Sequence, residues 1–139
     1  MAMDDYAHSH LFAQNVRLDP VHPGEQGRTV DVGLWTGQTL FRNGEVATTS
    51  GVETTDGRDG ALAIRGALIS VLPDGATFSL SYVGKTQVTA GTNAFTSEGE
   101  WTFTAGTGRL AGIKGGGTFK AEGAGDKWHS EGVGTATKS

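Results

Sequence analysis

The chain has no cysteine in its 139 residues. That excludes disulfides, thiolate metal ligands and a thiol nucleophile, and it leaves cohesion to a buried core. No stretch approaches the roughly 20 apolar residues that a membrane-spanning helix needs. The opening residues, MAMDDYAHSH, are polar and acidic where an export signal would be basic and then apolar. From these absences we expect a soluble, cytoplasmic protein with no membrane partner. A clustered basic face is missing too: Lys and Arg are scattered and the net charge is −4, which sets nucleic acid aside as a partner. Proline is scarce, 3 residues against 23 glycines. Glycine at this level, without a three-residue period and interleaved with Val, Thr, Phe and Trp, points to a sheet protein with many turns, bulges and close strand approaches.

What the chain does have is a succession of short runs rich in β-branched and aromatic residues, each ended by Gly, Asp, Asn or Pro. Eight such runs, at 7–18, 28–37, 45–55, 61–72, 76–89, 93–104, 116–124 and 128–137, fill a single domain over 1–139. The breaks carry turn chemistry: Asp19-Pro20 with Pro23-Gly24, Asn43-Gly44, Asp56-Gly57 with Asp59-Gly60, Pro73-Asp74-Gly75, and 123–126. No 3.6-residue stripe of helical length interrupts them, and only Thr107 to Ile113 suits a helical turn. The predicted fold is all-β, an eight-stranded antiparallel β-barrel of calycin-like form, because closure removes the two exposed edges of an open sheet. A two-sheet sandwich is the alternative.

Alternation assigns the faces. Phe78, Leu80 and Tyr82 form one inward row; Phe95, Ser97, Gly99, Trp101 and Phe103 form another, with Glu98 and Glu100 facing out. Phe119 and Ala121 point in, as do Leu62, Ile64, Leu68 and Leu72. On the first strand the apolar row Phe12, Val16 and Leu18 is read as inward, which places His8, His10 and Gln14 in the lumen as well. Inward polar groups must find partners, water or a ligand, since an unsatisfied one costs about 1–3 kcal/mol.

Several motifs have a bland reading that outweighs the chemical one. Gly106-Thr107-Gly108-Arg109 lacks the following helix and the Lys-Ser/Thr pair of a phosphate loop, so it is a structural corner. Glu98 and Glu100 read as solvated charge facing Lys120 and Glu122 on the next strand, not as a glycosidase pair. His8 and His10 would need a third ligand such as His129, and no recognisable metal set is present. A Ser/His/Asp triad has no Gly-x-Ser-x-Gly elbow to present it.

The segment Ala105-Gly106-Thr107-Gly108-Arg109-Leu110-Ala111-Gly112 resembles the GGTGRFAGARG-type segment of the allene oxide cyclase and dirigent-like barrels, with Ala105 in place of the first glycine. Leu40-Phe41-Arg42-Asn43-Gly44 is similar to their early strand, and the stretch from Asn93 onwards falls where they place their last hairpins. The resemblance implies the same barrel type, with a greasy lumen, no organic cofactor, and cyclisation or guided coupling of apolar substrates. The family's acidic catalytic positions match no residue here.

The expected function is a cofactor-independent cyclase or isomerase acting on a hydrophobic small molecule in the lumen. A non-catalytic carrier or sensor of an apolar metabolite is the alternative, and homo-oligomerisation to a dimer or trimer is a third element of the reading. His10, Gln14 and Tyr82 are the candidate proton-handling residues, with Phe12, Trp35, Phe78, Phe95, Trp101, Phe103 and Phe119 as ligand-binding walls and no metal.

Overall fold

A computed structural model describes residues 2–21 and 24–139. Eight antiparallel strands form a closed barrel in which each strand pairs with its sequence neighbours and the last returns to the first. They are β1 (Ser9–Val21), β2 (Arg28–Phe41), β3 (Val46–Arg58), β4 (Ala61–Val71), β5 (Thr77–Val88), β6 (Ala94–Gly106), β7 (Ile113–Ala124) and β8 (Lys127–Lys138). Short 3-10 helices occupy Met3–Ala7, whose last residue is the first of the strand expected over 7–18, and Gly108–Leu110, inside the expected helical turn.

Two of the expected turn segments are shorter than the sequence suggests, and the first keeps its Asp59-Gly60 half. Asp56 and Gly57 continue β3, and the reversal falls on Asp59 and Gly60, whose φ angles of 52° and 80° suit a tight hairpin. Pro20 lies inside β1. Proline cannot donate to a ladder, and it is tolerated there because β8 pairs with β1 only from Ser9 to Gln14, leaving the far part of β1 with β2 alone. Pro23 lies outside the described residues.

One end of the barrel is plugged. Tyr6 and Ala7 from the first 3-10 helix, and Leu110 and Ile113 from the GTGRLAGI corner, are buried there. An edge-to-face chain runs upward from this plug through Tyr6, Phe41, Phe78, Phe103 and Trp101, with successive centroids 4.9–5.7 Å apart. Arg109 ties the plug to the rim: it donates to Asp74 (2.6 Å), to Glu45 (3.0 Å) and to the Tyr6 hydroxyl, which itself donates to Glu45 at 2.5 Å.

The Tyr6 hydrogen bond, aided by Arg109, holds the Glu45 carboxyl below its ordinary value of 4.5. A lowered carboxyl stabilises the fold above that value, and the contribution disappears as pH falls through and below it. Arg109→Met should therefore cost about 1 kcal/mol at pH 7, a modest figure because Asp74 is solvated. Urea melts of both proteins should converge as the pH is lowered past the carboxylate range.

Candidate functional site

The strand rows that alternation turned inward enclose a lumen of about 300 Å³, at the lower end of the roughly 300–1,000 Å³ usual for small-molecule pockets. All three tryptophans of the chain, Trp35, Trp101 and Trp128, line it. Glycines opposite these rings make the space. In the ladder Trp35 faces Gly51, Tyr82 faces Gly66, Trp101 faces Gly117, and Phe119 faces Gly99 and Gly132. A Cβ added at Gly51 would lie 2.3 Å from the Trp35 ring, and one at Gly66 would lie 2.4 Å from the Tyr82 hydroxyl. The Trp35, Tyr82 and Phe119 rings are thus laid over Gly51, Gly66 and Gly99, neighbours that have no side chain.

One rung of the ladder carries the polar centre. Glu53 on β3, Gly66 on β4 and Tyr82 on β5 are consecutive partners. Because Gly66 is bare, the Tyr82 hydroxyl reaches across β4 and donates to Glu53 Oε1 at 2.9 Å. Trp35 Nε1 donates to the Tyr82 oxygen from the other side at 3.3 Å. Burial, then the Glu53 charge, push the Tyr82 phenol far above its usual range, so it stays protonated and serves as a donor. Burial also raises Glu53, partly offset by the Tyr82 bond. Asp31 on β2 lines the lumen closer to the open end and is raised by burial alone. Among the described residues, no Lys, Arg or His lines this cavity.

Closer to the plug, Thr39, Thr49 and Ser70 form a buried hydroxyl chain at 2.6 and 2.8 Å, which satisfies these inward polar groups without a ligand.

Of the residues read from sequence, Tyr82, Trp35, Phe78, Phe95, Trp101 and Phe119 line the lumen, and Phe103 is buried in contact with Trp101 and Phe78. His10, Phe12 and Gln14 do not: they lie on the outer face, Phe12 with 57% of its surface exposed. The inward row at the start of β1 is Ser9, Leu11, Ala13 and Asn15. A β-bulge between Asn15 and Arg17 leaves Val16 without a partner and shifts the parity, so Leu18 returns to the lumen. Extending the Leu18 face backward through this bulge turns the preceding residues the wrong way. On the outside, His10 Nδ1 and His129 Nε2 are 3.2 Å apart with their rings stacked. Among the described residues, no group of three or more His, Asp or Glu is placed to hold a metal.

Glu53 and Asp31 were missed. Of the alternate rows of β3, Val46-Thr48-Ser50-Val52 holds two valines and Ala47-Thr49-Gly51-Glu53 a glutamate, so composition favours the wrong row as the inner one. The hairpin register identifies the right one: the turn at Asn43-Gly44 pairs Leu40 with Val46, hence Trp35 with Gly51 and Gly33 with Glu53. An inward Trp35 therefore implies an inward Glu53.

A larger groove of about 960 Å³ lies beside Phe12, Gln14 and His129. The lumen is the better candidate because it combines aromatic walls with a phenol and a carboxylate, Tyr82 and Glu53, that are largely withdrawn from bulk water. The described residues contain no helix long and apolar enough to cross a membrane. Comparison of the chain with protein-family models, curated proteins and solved structures finds no match.

Proposed function

We propose that the barrel holds an apolar small molecule in its lumen and isomerises or cyclises it without a cofactor, using Glu53 as proton acceptor and Tyr82 as hydrogen-bond donor. The observation that carries this reading is the Trp35–Tyr82–Glu53 relay facing a cavity walled by aromatic rings. An isomerisation or ring closure keeps every substrate atom, so it needs only a group that takes a proton and returns it and walls that hold the reactive conformation. Glu53 suits the first task because its raised carboxyl lies closer to neutrality than a solvated one. Its Oε2 has no hydrogen-bond partner among the described residues and remains available to a ligand. The likeness of Ala105–Gly112 to allene oxide cyclase and dirigent-like barrels supports the same reaction class.

Native mass spectrometry of the purified protein should detect a retained small molecule, and incubation should convert it to an isomer of unchanged mass. Glu53→Gln should slow that conversion about 100-fold or more and Tyr82→Phe about tenfold, in the range expected when acid–base groups are removed. Retention without conversion in the wild type would favour the carrier reading.

Leu34 and Val52 are cross-strand partners on the outer face, with Ile69 and Val71 exposed nearby on β4. This apolar face supports self-association, which light scattering would register as a mass of two or three chains.

A further inference from the structure

We propose that, among the largely apolar molecules it admits, the lumen selects those that carry an organic ammonium on an aromatic or other apolar body over neutral or anionic ones of the same shape. The inference rests on the lumen being the binding site and names the class of molecule it takes.

Two carboxylates face this one cavity. Gly33 pairs with Glu53, and Asp31, two residues along β2, points into the same space from beside Thr55. All the cationic side chains of the described residues lie elsewhere. Arg28 and Arg58 bind Glu25 at the rim, Arg28 also holds Asp56, and Arg109 belongs to the plug. Lys85, Lys120 and Lys127 are exposed on the outer surface. The lumen is therefore a region of one sign, and its low-dielectric walls strengthen every charge within it.

The walls act in the same sense. The faces of Trp35, Tyr82, Phe95, Trp101, Phe119 and Trp128 carry the negative side of the aromatic quadrupole and attract a cation. The Glu53 carboxylate has only the Tyr82 hydroxyl as a hydrogen-bond partner among the described residues, and an ammonium donating to its Oε2 would add a charge-assisted bond. A carboxylate ligand would meet like charge and no cationic donor among the described residues: the donors lining the lumen are neutral hydroxyl, amide and indole groups, and of the indoles Trp35 already serves Tyr82, Trp101 the Thr118 carbonyl and Trp128 Asn15.

The test compares three probes of matched shape, 2-phenylethylamine, 2-phenylethanol and phenylacetate, by calorimetry at pH 7.5. Tryptophan fluorescence provides a second readout, since all three indoles line the cavity. The amine should bind at least about tenfold tighter than the alcohol, and the carboxylate at least about tenfold weaker. In Glu53→Gln, and separately in Asp31→Asn, the amine-to-alcohol ratio should fall towards one. Because each readout is a ratio, a uniform change in affinity does not affect it. A wild-type ratio near one, or a preference that survives both substitutions, would overturn the inference. Titration with the uncharged dye N-phenyl-1-naphthylamine separates the two levels: dye binding without an amine preference removes only the charge selectivity, whereas failure of the dye and all three probes removes the lumen site and this inference with it.

Discussion

Trp35→Ala should be among the most damaging single substitutions in the chain, lowering stability by about 3–5 kcal/mol, the range for removing a large aromatic from a core. Trp35 is 3% exposed, meets Trp128 edge-to-face at 4.9 Å, and lies over the bare backbone of Gly51. Gly51 offers no side chain to fill the space left by the ring, and the strands on either side are fixed in the ladder, so collapse is limited. The Tyr82 oxygen would lose its indole donor while keeping its bond to Glu53. Chemical denaturation should show a lowered midpoint with an unchanged slope. Trp35→Phe should recover much of the stability and leave Tyr82 without that donor, which separates the packing role from the polar one.

Gly66→Ala should be the second severe change, for the opposite reason. The added Cβ would sit 2.4 Å from both Cζ and the hydroxyl oxygen of Tyr82, and 2.6 Å from the Val52 carbonyl oxygen. The ring can swing away, but the carbonyl belongs to the β3 backbone and cannot. Overpacking of this kind costs about 1–3 kcal/mol and sometimes more. It should also separate Tyr82 from Glu53, so any turnover or ligand binding that depends on the relay should fall further than the loss of stability explains. Assaying the variant well below its melting temperature would show the two effects separately.

Much of this architecture is legible in the sequence because a closed antiparallel barrel is built from local signals. Alternating apolar residues fix the inner faces of β5 and β6, and Asn43-Gly44 and Pro73-Asp74-Gly75 mark the β2–β3 and β4–β5 hairpins. The pattern fails where the physics depends on more than parity. Val16 is an extra residue in β1, and a single bulge reverses the face of everything counted across it, which moved His10, Phe12 and Gln14 from the expected lumen to the outer wall. On β3 the outward row is the more apolar one, so only the register carried over from Trp35 reveals Glu53. Tyr82 was legible because its neighbours Phe78 and Leu80 share its face, but its partner was not, since Glu53 is 29 residues away in sequence and two strands away in space.

Glu53 and Asp31 also give the lumen a pH signature opposite to that of Glu45. A carboxyl raised by burial favours the fold while protonated, and that advantage is lost as pH rises through its folded value. Glu53→Gln should therefore raise the melting temperature at neutral pH, with the gain shrinking in acid, even as it removes the proposed proton acceptor.

The central claim, that the lumen is a working binding site, is tested most directly by titrating N-phenyl-1-naphthylamine into the wild type and into Ala121→Phe, which fills the cavity beside Ser97. We expect saturable one-to-one binding with energy transfer from the tryptophans in the wild type, and its loss in a variant whose circular dichroism is unchanged. Equal binding by both proteins, or none by the wild type, would contradict it.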